Sequence, residues 1–240
     1  MSNSQLEGVL YLLPTPLANG AADTLPPCNR RVLLKVKHFV VENRRSAIRF
    51  LKSCVPDVDI DAINFEELSE HTDESQIPRL LSPLEQGFPV AVVSEAGCPC
   101  VADPGSSLVK AAHERGVKVK PLAGSSALVL ALMASGMSGQ NFAFSGYLPV
   151  KSRDLTGKIK KLEARAWSEG QTQIFIEAPY RNTRTFAAVL AACREDTLLC
   201  VAADLTGKGE FVRTLPVYSW KEETAPSIDK IPAIFLLSRS

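Results

Sequence analysis

The residues best placed to do chemistry lie in one run, Ser94-Glu95-Ala96-Gly97-Cys98-Pro99-Cys100-Val101-Ala102-Asp103-Pro104-Gly105. The run follows the apolar stretch 90–93 directly and reads as a loop at the carboxyl end of a strand, the edge where open α/β sheets bind ligands. Its Glu95 could accept a proton, and its small residues let a ligand approach the backbone. Asp103-Pro104-Gly105 turns the chain into a helix whose first N–H groups are free. A tight strand-to-helix connection would use the same residues without chemistry. Cys98 and Cys100 invite a metal or redox reading, but a single Cys-x-Cys supplies two ligands where structural zinc takes four, and the redox motif is Cys-x-x-Cys. No metal is expected.

Other loops carry weaker signals. Pro14-Thr15-Pro16-Leu17-Ala18-Asn19-Gly20 leaves the first strand where a dinucleotide-binding fold has Gly-x-Gly-x-x-Gly, and that fingerprint is absent. Ala123-Gly124-Ser125-Ser126-Ala127 is a small-residue turn opening a helix, its serines read most simply as caps. Glu177-Ala178-Pro179-Tyr180-Arg181 puts an acid, an aromatic and a cation at the end of another strand. Lys151, Arg153, Lys158, Lys160, Lys161 and Arg165 form a basic face opposite Leu155, Ile159, Leu162 and Ala166, a wet helix face or an RNA contact. His38, His71 and His113 share no ligand spacing; only His71 sits in a polar loop.

The elements that must position these loops follow from hydrophobic periodicity. Strands are predicted over 9–13, 39–41, 90–93 and 117–119, with helices over 31–37, 43–52, 77–84 and 106–114, and Pro83 is expected to kink or end the third helix. That alternation implies a mainly parallel sheet covered by helices. Beyond about residue 120 come helices over 125–135, 154–167 and 183–193 and strands over 142–147, 173–177, 198–203, 210–214 and 233–237. Leu205-Thr206-Gly207-Lys208-Gly209 joins two of these strands as a hairpin, which makes the second sheet mixed. The expected organisation is two α/β domains, 1–120 and 121–240.

Composition agrees with such a chain. The 240 residues are 45% hydrophobic and 22% charged with a formal net charge of +1, which excludes disorder. The longest apolar run, 127–134, is far short of the roughly 20 residues a membrane span needs. No basic residue precedes the apolar stretch 9–13, so no secretory signal is read, the cytoplasm is the expected compartment, and the six cysteines are expected to be free. Near-neutral charge argues against a strong overall grip on nucleic acid but leaves room for a local basic patch.

Taken in order, the loops resemble a known family. Leu10-Tyr11-Leu12-Leu13-Pro14-Thr15-Pro16-Leu17, Ser94-Glu95-Ala96-Gly97-Cys98-Pro99 with Asp103-Pro104-Gly105, Pro121-Leu122-Ala123-Gly124-Ser125-Ser126-Ala127, Phe144-Ser145-Gly146-Tyr147-Leu148-Pro149, Glu177-Ala178-Pro179-Tyr180-Arg181 and Asp204-Leu205-Thr206 are similar to loops of the tetrapyrrole-methylase-like superfamily. Within it they most resemble the ribosomal RNA small subunit methyltransferase I branch. The resemblance implies a homodimer of two-domain chains, with S-adenosylmethionine held in the cleft between the domains, largely by backbone groups. The cofactor binders it implies are Leu17, Cys98, Val101, Ser126, Ala127, Glu177, Ala178, Ala202, Pro232 and Ala233. Cys98 then becomes a loop residue rather than a nucleophile. The chain departs from the branch at Glu95, where Asp is usual, at Cys98 for Thr, at Cys100 for Gly, at Glu42-Asn43-Arg44-Arg45 for Glu-Asp-Thr-Arg, and at Ala123-Gly124-Ser125-Ser126 for Pro-Gly-Pro-Ser.

Methyl transfer from a sulfonium to a ribose 2′-hydroxyl needs an oriented acceptor, a dry site and a proton acceptor. Glu95 is the expected base, with Glu42 and His71 behind it, and Arg44, Arg45, Lys151 and Arg181 are expected to contact RNA phosphates. Methylation of a corrinoid or porphyrin, and a catalytically inactive cofactor- or RNA-binding module, are the competing readings.

Overall fold

The computed structural model describes residues 8–69 and 71–240, so the reading of the first six residues lies outside it. The chain divides after Ser126 into two compact units.

In the first unit β1 (Val9–Leu13), β2 (His38–Val41), β3 (Asn64–Glu67), β4 (Val90–Val93) and β5 (Lys118–Pro121) form a five-stranded sheet in the order β3-β2-β4-β1-β5, every pair parallel. A parallel sheet is covered on both faces, which is why its inner strands β1 and β4 are apolar at every position rather than alternating. Val9, Tyr11, Leu13, Phe39, Val41, Ala91 and Val93 pack on one face with Leu33 of α1 (Pro27–Leu33) and with Ala47 and Leu51 of α2 (Arg44–Cys54). Leu10, Val40, Val90 and Val92 meet Leu80, Leu81 and Leu84 of α3 (Ile77–Glu85) and Leu108 and Ala112 of α4 (Ser106–Glu114) on the other. Each such Leu or Val contributes about 1.5–3 kcal/mol on full burial.

Three local expectations change. The helix predicted over 31–37 runs from Pro27 to Leu33, because Pro27 supplies a ready first-turn φ and the chain turns out of the helix after Leu34. Pro83 lies within α3, which ends two residues later at Glu85; the Pro83 carbonyl accepts from Gln86 and Phe88 and closes the helix there. β3 was not predicted, since Asn64-Phe65-Glu66-Glu67 is a polar outer strand with one apolar residue and no usable alternation.

The second unit begins with α5 (Ala127–Ser135) and holds β6 (Phe142–Tyr147), α6 (Ser152–Glu169), β7 (Thr172–Ile176), α7 (Asn182–Ala192), β8 (Leu198–Ala203), β9 (Phe211–Pro216), α8 (Val217–Glu222) and β10 (Ala233–Ser238). Its sheet runs β6-β7-β10-β8-β9; β6 and β7 are parallel, β10 is antiparallel to β7 and β8, and β8 and β9 form the predicted hairpin. The apolar side of α6, Leu155, Ile159 and Leu162, packs with Phe186, Val189, Phe175, Phe235 and Trp220. Phe175 and Phe235 stack at 5.4 Å, and Trp220 meets Phe186 edge-on while its Nε1 donates to the Leu199 carbonyl at 2.9 Å. The short α8, which carries Trp220 into this core, was not predicted.

Candidate functional site

The register of the first sheet brings four strand ends to one edge: Leu13 and Val41 both pair with Val93, and Leu12 pairs with Pro121. Three of the exit loops are tied together. Thr15 N–H donates to the Gly97 carbonyl at 2.9 Å and Gly97 N–H to the Thr15 carbonyl at 3.1 Å, while Ser94 Oγ donates to the Gly97 carbonyl at 2.9 Å. Gly97 has φ +80°, and a Cβ there would lie 3.0 Å from Leu17 Cδ2. Cys98 Sγ donates to the Ser125 carbonyl at 3.5 Å, and Asn29 Nδ2 to the Ala123 carbonyl at 2.8 Å. Gly124 is pressed on Pro14, where a Cβ would come within 2.3 Å of the proline Cβ. The close approach of these two loops thus requires glycine.

The β4 exit bends sharply. Cys100 and Ala102 adopt φ of +66° and +63°, left-handed conformations that cost a residue with a Cβ about 1 kcal/mol or more. The amides of Cys98, Ala102 and Asp103 donate to no acceptor among the described residues, and Val101 is exposed. Small side chains and open backbone donors are what a ligand held through main-chain groups requires, so these residues fit S-adenosylmethionine. Burial and the charge of Asp103 raise the Cys98 thiol and push Cys100 up to about 11. Both remain protonated at neutral pH, which leaves neither as a thiolate nucleophile.

Glu95 is exposed at this edge, and its Oε1 accepts from Ser46 Oγ at 2.5 Å. Ser46 is delivered by the start of α2, where Asn43 Oδ1 caps the helix by accepting from the Arg45 and Ser46 amides. Sequence reasoning missed this partner, 49 residues from Glu95. Arg45 is exposed beside it, whereas the Arg44 guanidinium lies 5.5 Å from the Phe65 ring centroid. Glu42 follows β2 at the same edge; His71 sits beyond the outer strand β3 in a turn, its N–H donating to Ser69 Oγ.

Asp103 is a further titratable group of this loop. Burial and, second, the negative charge of Glu95 push its carboxyl up to about 6 from an ordinary 3.8. The folded chain therefore holds a proton there that the unfolded chain has lost, and stability falls as pH rises from about 4 to 6. Because Asp103 is partly exposed and solvent screens its carboxylate, the loss above pH 6 amounts to about 1 kcal/mol. Asp103→Asn is expected to leave the melting temperature unchanged below pH 4 and to raise it by about 2–4 °C above pH 6, measured in thermal melts across pH.

In the second unit the expected residues also fall on one edge. Ile176 and Ala202 both pair with Ile234, so Glu177 and Ala178 leave β7 beside Ala202 of β8 and Pro232-Ala233 at the start of β10. Asp204 N–H donates to the Pro232 carbonyl at 3.0 Å, and Lys230 N–H to the Pro179 carbonyl at 3.1 Å. Ala127 is the first residue of α5, and Lys151 is exposed just before α6. Arg181 is placed differently from a phosphate contact. It is buried, with Nη2 2.8 Å from Glu177 Oε2 and donating to the Pro149 carbonyl at 3.1 Å.

Among the described residues no group of three or more His, Cys, Asp or Glu side chains could hold a metal, and no helix is long and apolar enough to cross a membrane. The six cysteines are free.

Comparison with known proteins gives this geometry a family. A ribosomal RNA small subunit methyltransferase I of Pseudomonas aeruginosa is 33% identical over 210 residues, covering 88% of this chain and 71% of that protein. Its namesake of Escherichia coli is 33% identical over 224 residues, 92% of this chain and 74% of that one. Among solved structures, the methyltransferase CobJ superposes with a TM-score of 0.63 at 16% identity, over 97% of this chain and 93% of its own. Residues 10–219 match the model of the tetrapyrrole (corrin/porphyrin) methylases, and the chain belongs to that family of methyltransferases.

Proposed function

We propose that the chain transfers a methyl group from S-adenosylmethionine to a ribose 2′-hydroxyl of small-subunit ribosomal RNA. The observation that carries this reading is the alignment, over 88% of the chain, with a relative named for methylation of that RNA. The site supports it. S-adenosylmethionine, when bound, supplies a methyl on a sulfonium that leaves as a neutral thioether. The backbones of Leu17, Cys98, Val101 and Ser126 in the first unit, and of Ala127, Glu177, Ala178, Ala202, Pro232 and Ala233 in the second, are the groups assigned to hold it. Glu95, oriented by Ser46, takes the proton of the attacking hydroxyl. Arg45 and Lys151, both exposed, and Arg44 are assigned to RNA phosphates. Arg181 is left out of that set, because its guanidinium is committed to Glu177.

A ribosomal RNA substrate supports a cytoplasmic location for the reaction. Pairing of two copies is supported by the second unit, where Met133 on α5, apolar up to its last residue Ser135, is 74% exposed and Phe142, on the outer strand β6, is 48% exposed.

The test is transfer of tritiated methyl from S-adenosylmethionine onto small ribosomal subunits lacking the modification, beside calorimetry with S-adenosylhomocysteine. Label at a ribose of the RNA is the expected result. No binding of S-adenosylhomocysteine would overturn the reading, and transfer to a porphyrin or corrinoid alone would replace it with small-molecule methylation.

A further inference from the structure

Between the β1 exit loop and α2 the first unit holds a cavity of about 340 Å³, lined by Thr15 to Gly20 on one side and by Ser46, Arg49, Phe50, Ser53 and Glu95 on the other. Ser46, Arg49, Phe50 and Ser53 recur at the spacing of one helix face, while Ala47 and Leu51 turn into the core. Arg49 is exposed and Phe50 half-buried, so a cation and part of an aromatic ring are open to a ligand.

The Ser46–Glu95 pair adds a place for a proton. Ser46 has one hydroxyl proton, and its Oγ lies 2.9 Å from the Asn43 carbonyl and 2.5 Å from Glu95 Oε1. It can donate to only one of them while Glu95 is ionised. Once a proton reaches Glu95, the carboxyl can donate to Ser46 and Ser46 to Asn43, and both bonds are made.

We propose that this cavity receives the acceptor nucleotide of a single-stranded RNA segment, with its phosphate at Arg49, its base against Phe50 and its ribose hydroxyl toward Glu95. The inference rests on the RNA methyltransferase reading and names the subsite for it. Phosphate, base and ribose are the three features such a segment presents, and a cation, an aromatic face and a polar pair are the groups that recognise them. The volume sits at the small end of the range for ligand pockets, suited to one nucleotide rather than a macrocycle. In the step itself the hydroxyl oxygen bonds to the methyl carbon, the carbon–sulfur bond breaks with its electrons left on sulfur, and the hydroxyl proton passes to Glu95.

The experiment measures methyl-transfer kinetics on unmodified small subunits together with S-adenosylhomocysteine affinity by calorimetry. Arg49→Gln is expected to raise KM for RNA about tenfold, to lower the salt slope of RNA binding by about 1, and to leave S-adenosylhomocysteine affinity within about twofold. Phe50→Ala should raise KM for RNA similarly, with Phe50→Tyr restoring it and separating an aromatic contact from a packing defect. Ser46→Ala should lower kcat about tenfold at unchanged KM, with rescue by Ser46→Thr, as fits a positioning residue for Glu95. An unchanged RNA KM in Arg49→Gln and Phe50→Ala overturns the subsite and leaves the methyltransferase reading standing. A parallel loss of S-adenosylhomocysteine affinity gives the cavity to the cofactor and also overturns it. A wild-type chain that binds no S-adenosylhomocysteine overturns the reading beneath it.

Discussion

Glu95→Gln is expected to slow single-turnover methyl transfer about 10²–10⁴-fold, the range that a positioned general base supplies. Gln has the size of Glu and an oxygen that can accept from Ser46 Oγ, so the link between the β4 exit and α2 survives the change. What is lost is the capacity to take a proton. RNA KM and S-adenosylhomocysteine affinity should stay within about twofold, because only an interaction made in the transition state is removed. The variant has a second signature. Glu95 is the charge that, after burial, raises Asp103, so its removal should lower Asp103 toward the ordinary carboxylate range. The stabilising effect of Asp103→Asn above pH 6 should therefore shrink in the Glu95→Gln background, a coupling that thermal melts of the two single variants and the double variant measure. An unchanged single-turnover rate would remove Glu95 from the chemistry.

How much of this site the sequence announces depends on whether a feature is local. The Ser94–Gly105 loop is legible because four apolar residues, all buried in β4, run straight into small ones, and that contrast survives in one dimension. β3 is not, because an outer strand needs little apolar surface and its Asn64-Phe65-Glu66-Glu67 carries no period. The pairing of Ser46 with Glu95 joins a helix start to a loop two strands later, and only the register of Val41 and Leu13 against Val93 brings them together. The spacing of Ser46, Arg49, Phe50 and Ser53 was nevertheless in the sequence, as one face of the helix predicted over 43–52. The left-handed turns at Cys100 and Ala102 were hidden for another reason: neither is a glycine, so residue type gave no sign of the conformation. Arg181 shows the reverse case, where residue type was visible and burial was not.

Arg181→Gln is expected to destabilise the second unit by about 3–5 kcal/mol, the cost of leaving one member of a buried ion pair without its partner. The Glu177 side chain is fully buried, and Arg181 Nη2 lies 2.8 Å from its Oε2. Glu177 also accepts from the Ala178 amide at 2.8 Å and from Thr185 Oγ1 at 3.1 Å, which fixes the turn from β7 into α7. Glutamine cannot neutralise the carboxylate, so the charge must stay buried, be hydrated by a rearranged loop, or take a proton. Trp167 and Trp220, the two tryptophans of the chain, both lie in the second unit, so urea unfolding followed by tryptophan fluorescence reads this loss directly. Glu177→Gln combined with Arg181→Met removes both charges and should recover most of the stability, because the pair's attraction largely repays its own desolvation. RNA binding supplies the opposing test. A phosphate contact at Arg181 would lower the salt slope by about 1 on substitution, whereas a guanidinium committed to Glu177 leaves that slope unchanged. A small loss of stability together with a reduced slope would return Arg181 to the RNA-binding set.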